Sequence, residues 1–241
     1  MQEGPLSAHG ISFHLKRRAF QKRLRINIKS NGEILVSANK TYPYFLIKRF
    51  LLENKPWIEN SLSSIEEKRR NIPTKTFQLG ESFLYLGKHH RLSLNPIMQQ
   101  KTKISVQKDK FELLLDSPTL NPTSEEIYDA LIKFYKDQGR LILTERVRAI
   151  ATLTKMSVNK ITIRGQRSRW GSCNIQKDIS LNWKLIISPK KCIDYVVLHE
   201  LCHTVHHNHS KRFWQLVETY MPDYLSAKKW LDENHFEFEF L

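Results

Sequence analysis

The run His199–Ser210 reads HELCHTVHHNHS and holds the residues best suited to chemistry. On an α-helix, residues four apart stack on one face, so His199 and His203 offer two imidazoles to a single metal ion. Glu200 then projects toward the open side of that ion. This is the H-E-x-x-H pattern of zinc hydrolases. A catalytic zinc takes three protein ligands and leaves one position open, so a third ligand is required. His209, six residues beyond His203, is the ligand expected, and Asn208 before it tolerates the left-handed turn that would reverse the chain. His206, His207 and a distant carboxylate compete for the role. His206 lies only three residues past His203, however, and on a continuing helix it points along the chain. The composition predicts roughly 0.03 accidental H-E-x-x-H matches in a chain of this make-up, so the pattern is read as chemistry and not as a solvated histidine-rich helix end.

The surrounding residues supply a helix to carry the motif. Ser188-Pro189 offers an N-cap and a first-turn proline, and Ile193, Val196, Val197 and Leu201 form an apolar stripe. Zinc so held lowers the pKa of water to about 7 and polarises a carbonyl. Glu200 is placed to take the proton from the attacking water and pass it to the leaving amine. Cys202 lies about 100° around the helix from His203 and is read as a small buried residue, not a ligand. Asp194 is off the face of His199, and a capping or surface role is favoured for it over orienting an imidazole.

The 241 residues suffice for one large domain or two modest ones, with 40% apolar and 26% charged residues as in soluble globular proteins. A formal charge of +15 attracts polyanions such as nucleic acids or nucleotides, although a general lysine bias would produce it equally well. Residues 1–76 hold 15 Lys+Arg against 6 Asp+Glu. Arg17, Arg18, Lys22, Arg23 and Arg25 are therefore the candidate anionic contact surface, with a solvated basic face as the competing reading. Three cysteines are too few for a secreted disulfide scaffold. No run approaches the ~20 apolar residues of a membrane span, so a cytoplasmic location and no membrane partner are expected.

Along the chain, Ile11–Ser37 alternates as strands, with an Asn31-Gly32 hairpin signal. Helices are expected from about Tyr44 and from Pro56. Phe77–Leu115 reads as short strands broken at Gly80-Glu81, Gly87-Lys88 and Lys108-Asp109, giving a β-meander or small barrel-like layer; His89 and His90 are placed on its surface. Asn121-Pro122 breaks the chain, and Thr123 with Glu126 makes a capping box for a long helix that Gly139 could bend. The division predicted is a basic, mainly β part over 1–122 and a catalytic part over 123–241. Ile161–Ile163 and ISLNWKLI supply strands before the metal helix, offering an edge where an extended peptide could add. Ser210 is expected to cap a helix carrying Phe213, Trp214 and Val217, and a last helix covers about Tyr224–Glu233. No internal repeat is visible.

At SRWGSC (168–173), LNWKL (181–185), DYVVLHELCH (194–203) and NHSKRFW (208–214), the chain resembles the YgjP-like metallopeptidase family, relatives of the SprT-like and Spartan proteases. The basic strands near Lys16–Ile28 and the YLGKHHRL hairpin resemble that family's N-terminal half. The resemblance implies an α+β, zincin-like metallopeptidase domain, with an active-site helix beside a small sheet. It also implies zinc on His199, His203 and His209, a catalytic Glu200, and SRWGSC on strands next to the cleft. Metzincins share the His-to-His interval of six but carry Gly where this chain has His206, which argues against that branch. Within SRWGSC, Arg169 is the candidate to bind a substrate carboxylate, phosphate or carbonyl, and Trp170 the candidate cleft wall; a structural pair and a core residue are the alternatives.

Three functions compete. A zinc-dependent peptidase acting on a peptide or protein leads. A zinc hydrolase of a nucleotide or other phosphate-containing small molecule is the first alternative, and a nucleic-acid-associated protease the second.

Overall fold

Apolar residues at every second position make half-buried strands, and the N-terminal segment follows that rule closely. In the computed structural model, which describes residues 2–29, 32–70, 75–96, 102–107, 112–166 and 169–238, the chain forms two units, Met1–Pro73 and Thr74–Leu241.

The first unit holds β1 (Gln2–Ala8), β2 (Ile11–Arg18), β3 (Arg25–Ile28), β4 (Ile34–Asn39), α1 (Tyr44–Glu53) and α2 (Lys55–Arg70). Ile11, Phe13 and Leu15 of β2 and Ile34, Val36 and Ala38 of β4 turn to one face. There they pack with Ile47 and Leu51 of α1 and Ile58 of α2. Asn31 of the expected hairpin signal lies outside the described residues, but β3 and β4 do pair antiparallel.

The second unit opens with β5 (Ser82–Tyr85), β6 (Lys88–Pro96), β7 (Lys103–Gln107) and β8 (Glu112–Ser117), followed by the 31-residue α3 (Ser124–Thr154). The Thr123–Glu126 capping box forms as expected. The strands are not a meander. Their order is β5-β6-β8-β7, with β6 and β8 parallel at the centre. The first sheet has the same plan, β1-β2-β4-β3 with β2 and β4 parallel. Each copy opens with a hairpin whose two turn residues have positive φ, His9 (52°) and Gly10 (80°) in one and Leu86 (50°) and Gly87 (76°) in the other. Both are the type I′ geometry that matches strand twist. The chain thus repeats a topology that its residue types do not reveal.

The predicted division at residue 122 cuts through a single hydrophobic core. Phe83, Leu92, Leu113 and Leu115 of the second sheet bury against Ile127, Leu131 and Phe134 of α3 and share one cluster with Val197 and Phe213. His90, expected at the surface, is only 4% exposed and has its Nδ1 2.9 Å from the Lys88 carbonyl; His89 is exposed.

The second unit continues with β9 (Lys160–Arg164), β10 (Gly171–Cys173), β11 (Asp178–Asn182), a 3-10 turn (Trp183–Ile187), α4 (Lys190–Cys202), α5 (Lys211–Tyr220) and α6 (Tyr224–Glu233). The three strands order as β10-β11-β9, with β10 antiparallel and β9 parallel to β11. Gly139 is there for close approach: a Cβ would lie 3.0 Å from the Trp183 backbone oxygen, so α3 packs directly on the 3-10 turn. No helix among the described residues is long and apolar enough to cross a membrane.

Candidate metal centre

The start of α4 is fixed by contacts that residue types alone did not disclose. The Leu86 and Gly87 amides donate to the Ile186 and Ile187 carbonyls (2.9 Å each), docking the β5–β6 turn onto the segment before α4. A Cβ on Gly87 would come within 2.6 Å of Pro189. Pro189, not Ser188, is the N-cap residue; its carbonyl accepts from Cys192 and Ile193, while the Ser188 hydroxyl donates to Leu185. Asp194 faces α3, where the Arg146 guanidinium donates to it at 2.6 Å, so it joins two helices and orients no imidazole.

At its other end α4 delivers His199 and Glu200 in its last turn and His203 at the C-cap. The chain then tightens, with Val205 and His206 amides both donating to the Cys202 carbonyl. His203 Nδ1 lies 3.0 Å from the His206 carbonyl. With the proton on Nδ1, that bond fixes the ring and leaves Nε2 free as a donor. His206 therefore contributes its backbone, and its side chain is outside the cluster. Asn208 does not adopt the expected left-handed conformation. Its side-chain oxygen instead accepts from the Ser210 amide at 3.2 Å, and Ser210 stands at the N-cap of α5 without a side-chain bond of its own.

This reversal brings His209 back to the helix. The rings of His199, His203 and His209 form a near-equilateral triangle with centroids 4.7 to 5.0 Å apart. One nitrogen from each lies within 4.8 Å of the other two. The Nε2 atoms of His199 and His209 face each other at 2.9 Å. Phe213, fully buried, underlies all three at 4.5 to 4.9 Å and acts as the floor. Trp214 stacks on His209 at one side and on Tyr224 at the other; Tyr224 stacks on Tyr195, whose ring edge meets His199.

Burial holds the His199 imidazole well below its usual range, down to about 3, with His203 and His209 adding to the effect. It is a neutral donor at any physiological pH, and its Nδ1 is buried without a hydrogen-bond partner among the described residues. Three imidazole nitrogens converging on one point, with no carboxylate or thiolate among them, fit a borderline divalent cation. Cys202 is fully buried and its thiol is pushed up to about 12, which keeps it an inert packing residue.

Glu200 is 6% exposed, and burial raises its carboxyl to about 7, against the opposing charge of Arg169. Its neighbour is β10, one of the two edge strands of the three-stranded sheet among the described residues. A Cβ at Gly171 would lie 2.6 Å from both Cγ and Oε1 of Glu200, so only glycine lets the strand approach this closely. Asn182 of LNWKL holds the preceding segment, donating through Nδ2 to the Gln166 and Arg169 carbonyls and through its amide to Trp170. Ser168 of SRWGSC lies outside the described residues. Arg169 is exposed beside Glu200. Trp170 is half-buried, its ring 4.3 Å from Phe238, which makes it part of the packing behind β10. Tyr195 and Tyr224 escaped the sequence reading. Tyr195, four residues before His199 on the same helical face, carried a usable signal; Tyr224, on another helix, carried none.

Comparison with known proteins adds the family. The search of curated proteins finds no match. Among solved structures, the metallopeptidase zymogen jannalysin of Methanocaldococcus jannaschii is similar over 38% of this chain and 95% of its own, at 19% identity and a TM-score of 0.35. The metallopeptidase zymogen abylysin of Pyrococcus abyssi is similar over 40% and 95%, at 20% identity and a TM-score of 0.36. The model of the YgjP-like metallopeptidase domain matches residues 22–234 of the 241, and the chain therefore belongs to the YgjP-like metallopeptidase family.

Proposed function

We propose that the protein is a zinc-dependent, zincin-like peptidase in which His199, His203 and His209 hold the ion and Glu200 is the general base and acid. The observation that carries this reading is the triangle of imidazoles over Phe213 with a buried carboxylate beside it, against an edge strand. The ion, when bound, supplies Lewis-acid polarisation of the scissile carbonyl and acidifies the attacking water.

The chain's own residues supply the rest. Glu200, with its carboxyl near neutrality, accepts the proton of the attacking water and returns it to the departing amine. β10 ends its sheet among the described residues, and an extended peptide would add along its outer edge as a further strand and come to rest beside Glu200. Arg169, exposed next to that carboxylate, is placed to hold a substrate carbonyl or carboxylate, and Trp170 backs the wall.

The test is hydrolysis of a fluorogenic peptide panel by the metal-loaded parent and by Glu200→Gln, which keeps shape and removes the base. The reading expects a loss on the order of 10³-fold or more with metal content unchanged. Equal rates in the two proteins would end it, and phosphate release from a nucleotide panel without peptide cleavage would replace it with the small-molecule hydrolase.

A further inference from the structure

The two four-stranded sheets share one topology, so one can serve as the control for the other. In the second sheet the charges on facing strands oppose each other: Arg91 of β6 stands in register with Glu112 of β8, and Lys103 of β7 with Asp116 of β8. In the first sheet they do not. Lys16 of β2 and Arg25 of β3 both stand in register with Ser37 of the central β4. Strands β2, β3 and β4 contain no acidic residue at all. Between Glu3 and Glu33 the chain carries seven Lys and Arg residues and no Asp or Glu. A merely solvated face has no reason to abandon the neutralisation that the second copy keeps.

Lys16, Arg18 and Arg25 lie on the face turned away from α1 and α2, because Phe13, Leu15, Val36 and Ala38 occupy the other, and Lys22 and Arg23 stand in the β2–β3 loop that borders it. Two cations are set aside. Arg17 donates to the carbonyls of Asn39, Lys40 and Tyr42 and shapes the backbone, and Lys29 pairs with Glu33 at 2.7 Å. Lys16, Arg18, Lys22, Arg23 and Arg25 remain.

The β2–β3 loop adds an aromatic. Phe20 is 96% exposed, an uncommon position for a large apolar ring. Its loop is built to hold it there: Gln21 Nε2 donates to the Arg23 and Ser37 carbonyls (2.9 and 2.8 Å). Asn39 Nδ2 donates to the Ala19 and Gln21 carbonyls on either side of Phe20. Beside the ring lies an open cleft of about 700 Å³ walled by Arg18, Lys22, Arg23 and Arg25. An exposed aromatic on a braced loop, beside a cleft walled by cations, matches the way bases stack while the backbone is tracked by charge. Membrane insertion needs a broad apolar face, and the loop offers a single ring; the exposed Phe45 and Trp57 are on the helices that cover the sheet's other side.

We propose that this face of the first sheet binds single-stranded nucleic acid, with Phe20 stacking on a base and Lys16, Arg18, Lys22, Arg23 and Arg25 contacting the phosphates around it. The experiment uses the full chain and fluorescein-labelled 15-mer single-stranded RNA and DNA, followed by anisotropy between 50 and 300 mM salt, with phosphatidylserine-containing vesicles as a third arm. Binding should weaken with salt at a log–log slope of about −3 for four to five phosphate contacts. Phe20→Ala should lower affinity by about 5- to 150-fold, Phe20→Tyr should restore it, and Arg18→Gln with Arg25→Gln should flatten the slope by about 1.4. Tighter binding of RNA or of DNA assigns the sugar that is read, and equal binding assigns recognition to phosphate and base. No binding at 50 mM salt overturns the proposal. So does affinity indifferent to these variants, or vesicle binding that exceeds binding to both oligonucleotides. All these side chains except that of Lys16 are largely exposed, so thermal unfolding of each variant should match the parent; the Arg pair and Phe20→Tyr decide the matter should Phe20→Ala fail to fold.

Discussion

Replacing Gly171 by Ala probes how tightly the chain places its carboxylate. The added Cβ would meet Glu200 Cγ and Oε1 at 2.6 Å and Cδ at 2.9 Å, and the backbone there is outside the left-handed region, so the clash is the whole effect. Ordinary carbon contacts begin near 3.5 Å, so one partner must yield by about 0.9 Å. Glu200 is buried and β10 is hydrogen-bonded to β11, so the displacement falls on the carboxylate or on the pairing of the strand. A catalytic group misplaced by about 1 Å costs on the order of 10²-fold in rate, and overpacking costs about 1–3 kcal/mol in stability. The assay is kcat on a fluorogenic peptide that the parent cleaves, with metal stoichiometry and urea unfolding measured on the same samples. Metal should stay bound, since the three atoms nearest the new Cβ all belong to Glu200. In a Glu200→Ala background the clash disappears, so Gly171→Ala should then cost almost no stability, a coupling of about 1–3 kcal/mol. Parental kcat in Gly171→Ala, or an undiminished stability cost in the double variant, would refute the argument.

Other outcomes follow from the same contacts. Phe213→Ala removes the fully buried floor beneath three imidazoles and should destabilise the protein by about 3–5 kcal/mol in urea unfolding, while weakening metal retention against a competing chelator. Gly87→Ala combines a positive φ of 76° with a Cβ 2.6 Å from Pro189, so it should cost more than 2 kcal/mol although it lies more than a hundred residues from the motif. His209→Ala should lose most bound metal in mass-spectrometric analysis of the purified protein, whereas His206→Ala and His207→Ala should retain it, because only the His206 backbone supports the cluster.

The helical part of the fold was legible because each helix carries its own periodicity and boundaries: α1, α2 and α6 begin within a residue of the expected positions, and the H-E-x-x-H interval places two imidazoles on one face of α4. Strand neighbours were not legible. Alternation in Ile11, Phe13 and Leu15 says which face is buried but not which strand lies alongside, so the parallel central pairs and the repeated sheet plan emerge only in three dimensions. His90 was misplaced for a related reason, since its burial comes from Tyr85 across the hairpin and from the core beneath it. The left-handed turn expected at Asn208 proved unnecessary because its side chain accepts from the Ser210 amide two residues on, a local turn that Asn offers equally well. Gly139 and Gly87 owe their presence to distant partners, Trp183 and Pro189, which no local window contains.

The claim beneath all of these is that three imidazoles share one ion. X-ray absorption on the zinc-loaded protein measures this directly. The account predicts three nitrogen scatterers at about 2.0–2.1 Å with imidazole outer-shell signals, one further light ligand and no sulfur. A sulfur scatterer near 2.3 Å, or fewer than three imidazoles, would contradict it.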